Sequence, residues 1–221
     1  MRRHAAASGH TGSIRDQVIA FKREQIILAA VDLFFTNGYQ QTTLDEVAGR
    51  LNVTKPFIYY HFKDKEALLS EISQRAVREA NEALKTAIEA PGTPTERLHW
   101  AVKTLMKAVI EQQRYTAVFF REQKNLSEEV RGPVYAQHRE YDKLLVTLLN
   151  EGIAKGEFTI ADPHVCALGL SGMTGWAYNW YRPDGRLPAD TISALMAEMA
   201  LRTVGVDPKK IKAVVAASAA R

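Results

Sequence analysis

The chain has one cysteine, Cys166, in 221 residues, so no internal disulfide can form and the interior must be held by packing alone. No apolar run approaches the roughly 18 residues that a membrane-spanning helix needs, and Met1 to His10 lacks the apolar stretch of a secretion signal. These absences predict a cytoplasmic protein with no membrane partner. Catalytic signatures are missing too: there is no H-E-x-x-H, no C-x-x-C, no phosphate loop and no G-x-G-x-x-G. Gly169-Leu170-Ser171-Gly172-Met173 lacks the second glycine of a nucleophile elbow. His164 and Cys166 stand two apart, which on a helix points them to different sides, so no metal is expected. The reading is a non-enzyme with no cofactor.

What remains is a globular composition, 46% hydrophobic and 24% charged, able to bury a sizeable core. The formal charge of +4 is unevenly spread: +2 over residues 1–70, −1 over 71–206 and +3 over 207–221. Basic ends suit a nucleic-acid partner without proving one, and a non-specific nucleoid protein would be far more basic. Strand alternation is nowhere sustained and no solenoid repeat is present, so the fold class is all-α.

Residues 1–14 mix Ala, Ser, Gly, His and Thr without periodicity and read as a flexible arm. Ile27, Ala30, Val31 and Phe34 then mark one helix face, ended by Asn37-Gly38. Thr43 with Glu46 three residues on forms a capping box before Leu44, Val47, Ala48 and Leu51. Asn52 tolerates the positive φ of a tight turn, Thr54 has N-cap chemistry, and Pro56 fits the first turn of a third, short helix over Lys55 to His61. Spacing turns Ile58 and Phe62 inward and leaves Lys55, Pro56, Phe57, Tyr59, Tyr60 and His61 mostly outward. Asp64 caps a long fourth helix. Two short helices, a tight turn and a basic-aromatic second helix are the build of a helix-turn-helix.

The stretches Ile27–Phe34, Gly38-Tyr39, Thr43–Ala48, Val53–Lys55 and Ile58–Leu69 closely resemble the N-terminal domain of TetR-family transcriptional regulators. Asn52 stands where that family usually has Gly, and Pro56-Phe57 replace smaller residues. The resemblance implies a double-stranded DNA operator as partner. Within it, Thr43 and Thr54 offer helix starts to backbone phosphate. Lys55 and Lys65, exposed by spacing, reach flanking phosphates. Tyr59 and His61 resemble the family's phosphate contacts, Tyr60 and Phe57 offer ring edges to thymine methyls or sugars, and Pro56 stands outward beside them.

For the rest of the chain the helical spacing predicts segments from Thr95 to about Arg114, through Phe119-Phe120, from Ser127 to about Lys155, from Pro163 to Tyr181 and from Pro188 to Val204. The domain reading is an arm (1–14), a helix-turn-helix domain (15–70), an effector-binding and dimerisation domain (71–206) and a basic tail (207–221) that frays. The resemblance implies a homodimer built on the last two long helices. Gly169, Gly172 and Gly175, three apart, allow a close helix approach there. It also implies a small hydrophobic effector, for which Trp100, Met106, Phe119, Phe120, Tyr141, Met173, Trp176 and Trp180 supply a plastic apolar lining. The run Trp176 to Leu187 looks like the matching region of TetR-type regulators of lipid and sterol breakdown that respond to acyl-CoA thioesters. Arg114, Arg121, Lys124 or Arg182 then stand as candidates for the CoA phosphates. The function implied is a ligand-responsive dimeric repressor. The alternative, a helical lipid-binding protein or enzyme using the helix-turn-helix as scaffold, leaves the outward Tyr, His and Lys of the third helix without a use.

Overall fold

A computed structural model describes residues 13–219. The described residues are helices joined by short turns, with no strand among them. They divide into two compact units between Leu68 and Leu69. Most of the expected arm lies outside the described residues; at its end Ser13 already caps the first helix, accepting from Asp16 N while Asp16 returns a carboxylate to the Ser13 amide.

In the first unit α1 runs Ile14–Asn37 and buries Ile26, Ile27, Ala30, Val31 and Phe34. It stops at Gly38, whose φ of 84° needs no Cβ penalty. Thr42, fully buried, donates from Oγ1 to the Gly38 carbonyl at 2.9 Å and so fixes the turn that follows. Helices α2 (Leu44–Arg50) and α3 (Lys55–His61) come next. Between them Asn52 takes φ 53°, the only positive φ on a non-glycine among the described residues, and the turn closes with Val53 N donating to Ala48 O at 3.0 Å. Helix α4 spans Lys65–Glu89, its start capped by Asp64 Oδ1 accepting from Ala67 N at 2.7 Å.

The second unit is organised around α5 (Pro94–Glu111), which buries Leu98, Val102, Leu105, Met106, Val109 and Ile110 and packs along α10 (Ala189–Thr203). Helices α6 (Gln113–Glu122), α7 (Glu128–Ala154) and α8 (Pro163–Gly175) surround it. Gly152 of α7 admits the buried ring of Phe158, since a Cβ there would collide with Phe158 Cδ2. Two expectations need correction. The helix expected over Pro163 to Tyr181 is broken at Trp176, leaving α8 and a single turn, α9 (Ala177–Trp180). The described part of the tail is not frayed: α11 (Pro208–Ala219) packs Ile211 into the core, and Lys210 pairs with Glu157 at 2.9 Å. Alanines and lysines diluted the apolar spacing of Ile211, Val214 and Val215 that anchors it.

Candidate DNA-binding face and effector cavity

The short third helix owes its orientation to two inward side chains. Ile58 is fully buried and Phe62 nearly so, as spacing predicts, which commits the opposite side of α3 to solvent. Tyr60 is 70% exposed and Tyr59 48%; Thr54, Lys55 and Pro56 are exposed, while Phe57 and His61 are half-buried. Arg23 of α1 donates from Nη1 to the His61 carbonyl at 2.6 Å and stacks its guanidinium 4.2 Å from the Phe62 ring centroid, tying down the end of α3. Lys22 places its ammonium 5.5 Å from the Phe57 ring centroid. Nothing in the local spacing of Lys22-Arg23 announces these roles, because they depend on how α1 crosses α3.

Several expected contacts turn out to be engaged already. Thr43 Oγ1 accepts from Glu46 N at 3.2 Å and its own N–H donates to Glu46 Oε2 at 2.7 Å, so the capping box forms and occupies that residue. Thr54 stands at the N-cap of α3 as expected, but its side chain makes no cap hydrogen bond and the residue is exposed. Lys55 donates to Asp45 Oδ2 at 2.6 Å, which raises its pKa. Burial lowers the pKa of His61, and the nearby charges of Arg23 and Lys22 lower it further, so its ring is neutral at neutral pH. Lys65 is the clearest correction. Instead of standing free it is half-buried, donates to the carbonyls of Tyr39 (2.8 Å), Gln40 (3.3 Å) and Thr42 (2.9 Å), and lies 4.4 Å from the Tyr39 ring centroid. An ammonium has three donors, and here all three are taken.

The second unit contains a cavity of about 530 Å³, open mouth included, lined by residues of α4 to α8. Phe119, Phe120 and Tyr141 line it as expected. The other five do not. Met106 is fully buried in the core of the second unit, outside the cavity lining, and Met173 packs against that core. Trp100 lies outward on α5 at 41% exposure because Leu98, Ala101 and Val102 take the inward side. Trp176 and Trp180 flank the helix break and are 55% and 41% exposed. Sequence reading missed the polar lining: Asn81, Thr116, His138, Ser171 and Thr174. Burial pushes the Tyr141 phenol up to about 12 against the opposing pull of the Ser171 and Thr174 hydroxyls. None of Arg114, Arg121, Lys124 and Arg182 lines the cavity; Arg182 donates instead to the Tyr181 carbonyl at 2.9 Å.

On α8 no neighbouring element among the described residues comes within 4 Å of where a Cβ would sit at Gly169 or Gly172, so the close approach expected there is not made among them. Gly175 alone meets a neighbour, Phe120 Cζ at 3.3 Å. Exposed Val165, Leu168 and Trp176 flank that open stretch, and Leu195 and Met199 are exposed on α10, which packs beside α8.

Residues 26–72 match the family model of bacterial regulatory proteins of the tetR family, and residues 91–204 match the tetracyclin repressor-like C-terminal domain. The chain belongs to the TetR family. It is a helix-turn-helix transcriptional regulator with a C-terminal ligand-binding domain. Among its TetR-family relatives is the transcriptional repressor KstR2 of Mycolicibacterium smegmatis, 23% identical over 78% of this chain and 85% of that one. A TetR/AcrR-family regulator of Thermobifida fusca superposes with a TM-score of 0.66 at 36% identity, covering 82% of this chain and 97% of its own. AibR, solved in complex with isovaleryl coenzyme A and operator DNA, superposes with a TM-score of 0.73 at 27% identity, covering 80% and 97%. No helix among the described residues is long and apolar enough to cross a membrane.

Proposed function

We propose that this TetR-family regulator is a homodimeric repressor that holds its operator through the outward face of α3 and releases it when a hydrophobic effector fills the cavity of the second unit. The observation that carries the DNA half is the exposure of Tyr59 and Tyr60, with Lys55 and Pro56 beside them, over the buried pair Ile58 and Phe62. A scaffold helix has no use for two tyrosines facing water; a groove-reading helix does, because ring edges meet thymine methyls and hydroxyls meet phosphate. Dimerisation is supported by the open apolar face of α8 and α10 and by the few base pairs that one seven-residue helix can read. An acyl-CoA effector is supported by the isovaleryl coenzyme A held by AibR and by the aromatic cavity wall.

The switch needs a ligand that favours one arrangement of the DNA-binding units over another, by the roughly 1–3 kcal/mol typical of such couplings. Helix α4 is continuous from Lys65, which clips the turn before α2, to Ala76, Val77, Ala80 and Asn81 in the cavity wall. A gel shift with the DNA flanking the protein's own gene, repeated across a salt series, tests the reading. Specific, salt-steep binding that a panel of acyl-CoAs releases supports it. Absence of any specific binding by folded protein refutes the repressor; specific binding that no acyl-CoA releases refutes only the effector class.

A further inference from the structure

The cavity wall carries an asymmetry of charge that bears on what it admits. Its apolar part includes Leu105, Val109 and Phe119. Its polar part contains no Asp, Glu, Lys or Arg at all. Two titratable side chains are present. Tyr141 stays a neutral phenol, and the His138 ring already faces a carboxylate of the protein, with Asp142 Oδ2 3.6 Å from its Nδ1. A carboxylate brought inside would shed its water and find no cation, which is the most costly way to bury a charge.

The same wall does offer an acceptor. Asn81 Nδ2 donates to the Gln137 carbonyl at 2.9 Å, and since a carbonyl can only accept, this bond fixes which end of the amide is which. The other end, Oδ1, is buried and receives no hydrogen bond from the described residues. A buried amide oxygen in that state is stabilised by a ligand O–H or N–H and is indifferent to a group without a donor.

We infer that the cavity selects an uncharged, mainly apolar ligand that presents an O–H or N–H to Asn81, and that it excludes the free carboxylate of the same chain length. The inference rests on the reading of this cavity as the effector site. It deepens that reading, because an acyl thioester is uncharged along its acyl body and carries amide N–H groups on its thiol arm, whereas the fatty acid it derives from is an anion at neutral pH.

Calorimetry on the full chain at neutral pH, with decanol, methyl decanoate and decanoate as probes, decides the matter. Decanol should bind about 3- to 10-fold tighter than the ester, the worth of one hydrogen bond, and decanoate at least about 10-fold weaker than decanol. In Asn81→Leu the decanol affinity should fall to that of the ester, whose own affinity stays unchanged. The wild-type ranking keeps the test valid if that variant does not fold. Decanoate binding as tightly as decanol overturns the inference, as does a decanol-to-ester ratio that survives Asn81→Leu. If none of the three binds saturably, the cavity is not the effector site and the inference falls with it; operator binding in the gel shift is a separate readout that this outcome leaves standing.

Discussion

On the proposed function, the two units of this chain hold their functional residues in opposite ways. In the first, the proposed DNA-reading residues lie on the outside of a helix seven residues long, and the interior aims it. In the second, the proposed ligand contacts lie on the inside of a cavity that residues of α4 to α8 build together. An outward face is written in local spacing: once Ile58 and Phe62 turn in, Tyr59 and Tyr60 have nowhere to go but out. A cavity wall is not, because whether an aromatic residue lines it, hides behind it or stands on the far surface depends on which neighbouring helix covers it.

The sharpest way to break this comparison is to remove the aiming residue. Ile58→Ala should cost about 4 kcal/mol, the usual range for emptying a fully buried aliphatic site, and abolish operator binding, with thermal unfolding and gel shift as readouts. A smaller effect comes from Lys65→Met, which removes three hydrogen bonds to carbonyls and should destabilise the protein by about 2 kcal/mol. Operator affinity should drop with it while the slope of log affinity against log salt stays unchanged, because an ammonium spent on carbonyls neutralises no phosphate. A slope reduced by about 1 marks a direct phosphate contact and overturns the clip.

The Asn52 turn sharpens the comparison further. At φ 53° Asn52→Gly should be neutral or slightly stabilising, and Asn52→Val should cost about 1–2 kcal/mol, read from denaturant midpoints. Among the destabilising substitutions, one at the Arg97–Glu151 pair of the second unit should show the smallest effect. Hydrogen bonds from Arg97 and then Lys155 hold the Glu151 carboxyl down at about 2 from an ordinary value of 4.5. A carboxyl whose folded pKa is depressed stabilises the fold above its unfolded pKa and loses that stabilisation as pH falls toward the folded one. Glu151→Gln should therefore cost about 1 kcal/mol at neutral pH, after discounting for solvent screening, and the difference from wild type should vanish between about pH 4.5 and 2.

Much of the first unit was legible because caps, turns and short helices are local chemistry. The Thr43 box, the positive φ of Asn52, the Asp64 cap and the inward pair Ile58 and Phe62 all follow from residues within a few positions of one another. Lys65 was misread because its carbonyl partners lie 23 to 26 residues back in the chain. In the second unit the all-helical architecture was legible from periodicity, but only Phe119, Phe120 and Tyr141 of the eight expected lining residues reach the cavity. The missed group, Asn81, Thr116, His138, Ser171 and Thr174, consists of polar residues whose places in the helical spacing do not tell a cavity wall from solvent or from a filled interior. The packed α11 escaped for a related reason, since its anchoring depends on the core that receives Ile211, whereas the break at Trp176 directly follows Gly175, a glycine read for close packing and not as a helix end.

The division of labour itself is tested most directly by one fluorescence-anisotropy experiment on labelled operator, run for wild type, Tyr60→Ala and Phe120→Ala with and without saturating acyl-CoA. Tyr60→Ala should weaken operator binding about 10-fold or more while the ligand still shifts its melting temperature as it does in wild type. Phe120→Ala should bind operator like wild type yet resist release by ligand. If Tyr60→Ala bound operator normally, or if Phe120→Ala lost operator binding while its response to ligand persisted, the assignment of DNA recognition to the outer face of α3 and of ligand sensing to the cavity would be contradicted.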